Sequence, residues 1–151
     1  MDTLTIKAAI QVSKPAATVF EGIVDPAQLS NYFISEGSGR MESGKEVSWK
    51  FPEFDERFTI KVLKTEPASL VSFLWGGPEG KQTQVDISLE QQPGNSTLVR
   101  VTEGAAENNE AGIKWLMGNT EGWANFLACL KAWLEYDINL RKGAFDFMRK
   151  K

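Results

Sequence analysis

The carboxylates Asp55-Glu56 and the pair Glu107 and Glu110 stand close enough in the chain to share acid–base work, and Cys129 is its single thiol. General acid–base catalysis needs a group whose pKa lies near the working pH, and an imidazole is the usual choice. This sequence of 151 residues contains no histidine. It therefore has no Ser-His-Asp arrangement, no histidine metal ligand and no imidazole to activate Cys129. Hydrolase and metalloenzyme chemistry is disfavoured, and loop carboxylates on an acidic chain read more simply as solvated groups. Two glycine-rich stretches invite a phosphate-loop reading. EGSGRMESG at 36–44 lacks the Gly-Lys-Ser/Thr ending and the following helix, and GGPEGK at 76–81 has its glycines and lysine at the wrong spacing. The first reads as a strand flanked by turns and the second as a hairpin loop. No cofactor and no metal are expected.

What the chain has in abundance is large apolar side chains. Five tryptophans stand among sixteen aromatic residues, in a chain whose apolar fraction of 42% and charged fraction of 25% are ordinary. The length suits one core, and a single domain over residues 1–151 is expected. The first residues, MDTLTIKAAIQV, carry no secretory pattern, no apolar run approaches the roughly 20 residues of a membrane span, and a lone cysteine closes no internal disulfide. A cytoplasmic protein is expected. The last eleven residues, RKGAFDFMRKK, carry +4 against −7 for the remainder. Such a tail can touch an anionic membrane or a nucleic acid. The preferred reading is that its aromatics pack on the body while its lysines stay solvated, so no nucleic-acid partner is expected.

The elements that must position these side chains follow from periodicity. TLTIKAAIQV alternates Leu4, Ile6, Ala8, Ile10 and Val12 with a more polar set, the period of a half-buried strand. Ser13 and Pro15 signal a helix start, Val19, Phe20 and Ile23 recur at helical spacing, and Asp25-Pro26 ends the run before a second short helix, PAQLSNYF. Six strand-like segments follow (GSGRM, KEVSWKF, RFTIKVLKT, SLVSFLWG, KQTQVDISLEQ, STLVRVTEG), separated by short turn signals that imply an antiparallel meander. In GNTEGWANFLACLKAWLE, Trp123, Phe126, Leu127, Leu130, Trp133 and Leu134 fall within an arc of about 120°, the mark of an amphipathic helix. With Thr120 as its N-cap this helix would reach Tyr136 and span roughly 25 Å. The order β-α-α-β-β-β-β-β-β-α is an α+β arrangement in which the helix lies across the concave face of a curved sheet.

These residues carry a resemblance. The Ser13-Lys14-Pro15-Ala16 entry to the first helix, the Asp25-Pro26 break, PASLVSFLWGG, TQVDISLEQQPGNSTLVRVTEG and the GWxxFLxxLxxWLE pattern at 122–135 together cover nearly the whole chain. The sequence resembles the helix-grip superfamily of the birch-pollen allergen and the START domains, and within it the homologues of the activator of heat-shock protein 90 ATPase. The resemblance implies a cavity between sheet and helix. In the functional reading Trp49, Trp75, Trp115, Phe126 and Leu130 line it for a small apolar or amphipathic ligand, with Glu103 as a polar anchor. In the other reading the aromatics simply fill the core and Glu103 is a solvated strand-end carboxylate. For any one aromatic, packing is the preferred reading.

Three functions follow from the resemblance. A small-molecule binding module is favoured. A co-chaperone contacting a heat-shock protein 90 homologue is the alternative, with little ATPase stimulation expected because the chain resembles only the C-terminal domain of the eukaryotic activator. A polyketide-cyclase-like enzyme is the third, for which Glu103, Arg57 and Tyr32 are the polar candidates; a reaction is the less favoured outcome.

Overall fold

A computed structural model describes residues 2–149. The chain opens with β1 (Thr3–Val12), α1 (Ala16–Val24) and α2 (Pro26–Leu29), continues through β2 (Glu36–Gly37), β3 (Glu46–Lys50), β4 (Arg57–Glu66), β5 (Leu70–Gly76), β6 (Gln82–Gln92) and β7 (Ser96–Glu107), and ends in α3 (Glu110–Tyr136) and a 3-10 turn at Asp146–Met148. The seven strands form one antiparallel sheet in the order β1-β7-β6-β5-β4-β3-β2, with α3 across one face. This is the expected helix-grip arrangement, an α+β fold. Among the described residues no helix is long and apolar enough to cross a membrane.

Period-two alternation puts one residue set of each strand against the helix. Cross-strand pairing aligns Ile6, Glu103, Val85, Phe73 and Val62 in one inward row. Four of the five are buried hydrophobics, and Glu103 is buried among them. Val19, Phe20 and Ile23 of α1 and Trp123, Phe126, Leu127 and Leu130 of α3 close the core from the other side.

Local boundaries differ from the sequence reading in three places. Helix α3 begins eleven residues earlier than a Thr120 cap requires. Asn109 caps it, its Oδ1 accepting the Gly112 N–H at 2.8 Å, while Thr120 lies inside the helix and donates its hydroxyl to the Leu116 carbonyl. Gly118 costs about 1 kcal/mol relative to alanine in such a position without breaking the helix. The helix is therefore about 40 Å long. Its junction with β7 requires Gly112, since a Cβ there would sit 1.9 Å from the Glu107 carbonyl oxygen. Ser13 does not cap α1: its N–H donates to Glu135 and the Ala16 N–H to Gln91 Oε1, so partners distant in sequence satisfy the helix start. The GSGRM strand is reduced to Glu36–Gly37, because the Met41 N–H is bound to the Val24 carbonyl of α1 rather than to a strand. The start of α2 follows expectation, with Asp25 accepting the Ala27 N–H at 2.9 Å and Pro26 in the first turn.

The C-terminal segment packs only in part. Phe145 lies beneath Arg141, but Phe147 is 81% exposed and Met148 is also exposed. A 3-10 turn directs successive side chains apart, so both aromatics cannot reach the body together.

Candidate functional site

Between the sheet and the middle of α3 lies a cavity of about 290 Å³. Phe33 lines it from the segment after α2, Phe51 and Phe54 from the β3–β4 loop, and Phe58 from β4. Trp75 at the end of β5 and Trp123 of α3 complete an aromatic wall, and their ring centroids are 5.4 Å apart. The polar lining comes from Asn119 of α3 and Arg141 of the C-terminal segment. Gly76 and Gly122 also face the space, and no atom lies within 4 Å of where a Cβ would stand on either. A largely apolar cleft, open on one side, with a few polar side chains is a usual form of small-molecule site.

Glu103 stands behind this wall, not in it. It is 0% exposed, and four neutral groups donate to its carboxylate: Trp75 Nε1 at 2.8 Å and Thr83 Oγ1 at 2.5 Å to Oε2, and Trp123 Nε1 at 2.8 Å and Asn119 Nδ2 at 3.1 Å to Oε1. Four donors match the lone-pair sites of an ionised carboxylate. Such bonds are stronger than those between neutral groups and offset part of the cost of burying the charge. Three of the four donors belong to cavity-lining residues, so one carboxylate sets the orientation of both indoles and of Asn119. Among the described residues Glu103 makes no ion pair.

Arg141 forms the opposite rim. Its guanidinium makes two parallel hydrogen bonds to Glu53, at 3.0 and 2.8 Å, and lies 5.6 and 5.0 Å from the ring centres of Phe51 and Phe145. The fork geometry fits a carboxylate and the flat cation stacks on rings, which a lysine would not reproduce. This pair pins the C-terminal segment to the β3–β4 loop. Arg141 also borders a more polar groove of about 320 Å³ that includes Tyr32, Ser35, Asn139 and Lys142.

Of the residues singled out from sequence, Trp75 faces the cavity directly. Glu103 is joined to it through hydrogen bonds, and its full burial replaces the solvated strand-end alternative. Trp49, 2% exposed, sits one layer back, its ring 6.2 Å from that of Trp75 and 5.5 Å from Phe33. Phe126 supports Phe33 and Trp123 at 4.7 and 5.3 Å, also from within the core. Leu130 is fully buried one turn farther along α3, and Trp115 packs on the core from the first half of the helix; neither lines the cavity. Tyr32 spends its hydroxyl on the Gly22 carbonyl at 2.8 Å, and burial pushes its pKa well above the usual phenol value. Arg57 is exposed and paired with Glu36. Cys129 is buried, which raises its thiol pKa and leaves it unreactive. Asp55, Glu56, Glu107 and Glu110 are all exposed.

Sequence reasoning missed Phe33, Phe51, Phe54 and Arg141, which come from loops and the C-terminal segment where no period marks a face, and also Phe58 of β4 and Asn119 and Trp123 of α3, which periodicity alone does not assign to a cavity. The burial of Glu103 did have a signal. Thr97, Val99 and Val101 alternate inward along β7, and Glu103 is the next position in that series.

The sheet and the crossing helix define a helix-grip domain, with an aromatic-lined cleft between them. Residues 13–135 match the family described as Activator of Hsp90 ATPase homolog 1-like protein, and the chain belongs to that family. Among solved structures it is similar to the Staphylococcus saprophyticus protein SSP2350, with 32% identity over 91% of this chain and 96% of that one and a TM-score of 0.79. It shares its fold with the Aha1 dimer of Colwellia psychrerythraea, at 23% identity over 88% of this chain and 97% of that one, with a TM-score of 0.75. It likewise shares the fold of DynU16, from the dynemicin biosynthetic locus, at 23% identity and a TM-score of 0.78; the match covers 89% of this chain and 48% of DynU16. No curated protein matches the chain.

Proposed function

We propose that the protein is a binding module that takes a small apolar or amphipathic molecule into the cavity between the sheet and α3. The observation that carries this reading is the 290 Å³ space walled by Phe33, Phe51, Phe54, Phe58, Trp75 and Trp123. Aromatic walls supply large apolar area at fixed geometry, and Asn119 gives the ligand one polar contact. The Glu103 network supports the same reading, because it holds two indoles and an amide at the wall rather than letting them collapse inward.

Because Trp75 and Trp123 form the wall, occupancy should change intrinsic fluorescence. Titration with fatty acids, flavonoids and polyketide-like aromatics should give a saturable change for at least one class, with backbone amide shifts confined to α3 near Gly122 and to the end of β5. No saturable response by either method across the panel would overturn the proposal. Family membership favours one second reading, contact with a heat-shock protein 90 homologue. On the binding-module reading, stimulation of a cognate chaperone's ATPase should be slight or absent. A several-fold, saturable stimulation abolished by surface charge reversals would move the function to co-chaperone.

A further inference from the structure

The polarity of the cavity narrows its ligand, given that it is a ligand site. We infer that it selects a molecule with a positively charged head on an apolar body, such as an alkyl- or arylalkylammonium, over a neutral or anionic one of the same shape. Three features of the wall, all tied to Glu103, point this way.

The first is the buried charge. Glu103 lies at the N–H edges of Trp75 and Trp123, receives only neutral donors, and makes no ion pair among the described residues. An anion fully withdrawn from water is poorly screened, and its field extends past the indole edges that donate to it toward the cavity.

The second is the direction of the hydrogen bonds. Each indole N–H points at the carboxylate, which polarises the ring and increases the electron density of its faces. Tryptophan faces are already the best aromatic partners for a cation. Two of them meet here at an interplanar angle of 37°, with Phe33 6.1 Å from Trp123 on the same side.

The third is the lining amide. Asn119 gives one Nδ2 hydrogen to Glu103 and keeps its Oδ1 and its second N–H, so it can accept from an N–H of the ligand. The one cation on the rim does not reverse this balance. Arg141 is satisfied by both oxygens of Glu53 and by the faces of Phe51 and Phe145.

The test is a matched series with one body and three heads: phenylbutylammonium, phenylbutanol and phenylbutyrate, titrated near neutral pH by tryptophan fluorescence and by the shifts of the indole N–H resonances. The ammonium should bind about tenfold tighter than the carboxylate and several-fold tighter than the alcohol. The preference should survive about 0.5 M salt, which screens the acidic surface but not a buried carboxylate. Equal affinities, a preference for the carboxylate, or a preference lost in salt would overturn the inference while leaving the binding module intact. No response to any of the three, together with none to the wider panel above, would remove both. Glu103→Gln should reduce the discrimination between ammonium and alcohol, provided its near-ultraviolet dichroism shows a native core. Where it does not fold, the wild-type series at low and high salt decides the matter alone.

Discussion

The two halves of the interface between α3 and the sheet behave differently. Around Phe126, Leu127 and Leu130 the helix and the strands close completely, and Leu130 has no exposed surface. Around Gly122 no atom lies within 4 Å of the Cβ position, and the space beside it is the cavity. The helix is the same and so is the sheet. What differs is side-chain volume on the helix and what stands behind the wall. One half fills its interior with Phe126, Leu127 and Leu130, and the other holds two indoles in place through a buried carboxylate. The spacing between helix and sheet is set at the packed end, and the open end inherits it.

The strongest way to break this contrast is at Glu103. Replacing it with leucine leaves the Trp123 indole N–H and the Thr83 hydroxyl buried without an acceptor, and releases Trp75 and Asn119. At about 1 to 3 kcal/mol for each fully buried donor, Glu103→Leu should cost about 4 kcal/mol in denaturant unfolding, and it should disorder the cavity wall. A cost under about 1 kcal/mol would mean that the network holds nothing in place.

Next is the packed end. Leu130→Ala should cost about 3 kcal/mol through lost transfer energy and a new void, with ligand response unchanged in the folded fraction. Calorimetry or urea unfolding measures the first part and the fluorescence titration the second. A loss of ligand response without loss of stability would place the site at the wrong end of the helix.

At the open end the sign reverses. Gly118→Ala and Gly122→Ala meet no neighbour and remove an interior helix glycine, so each should stabilise by about 0.5 to 1 kcal/mol. Gly122→Leu should in addition abolish ligand response by filling the cavity. Destabilisation by Gly122→Ala would show that the space is not open.

The smallest effect is expected far from the cavity, where α3 meets the start of α1. Burial alone would raise the Glu135 carboxyl pKa, but hydrogen bonds from Lys131 and the Ser13 N–H outweigh it and hold the value below the ordinary 4.5. A folded pKa below the unfolded one adds stability above the unfolded value, which is lost as pH falls through the folded one. Glu135→Gln should therefore shrink the difference in melting temperature between neutral and acid solution slightly. An unchanged acid limb would remove this linkage.

Period and turn chemistry determined most of the fold from the sequence alone. The alternation in TLTIKAAIQV, the Asp25-Pro26 break, the short turns between strands and the apolar arc from Trp123 to Leu134 are local signals, and each strand after β2 lies close to where they place it. They also specify which residues face inward, since strand and helix periods fix side-chain direction without reference to the rest of the chain. The first half of α3 was less legible, because Gly112, Gly118 and Thr120 are poor helix formers whose local preference is overruled by the Asn109 cap and by packing. The site was decided by tertiary structure. Phe33, Phe51, Phe54, Asn119 and Arg141 come from loops, a helix and the C-terminal segment, and no spacing in the sequence joins them. Glu103 shows the division most clearly: its place in an inward row follows from alternation along β7, whereas the donors that make that burial tolerable arrive from three other elements. Periodicity assigns a side chain its direction, and only the assembled fold determines what lies in that direction.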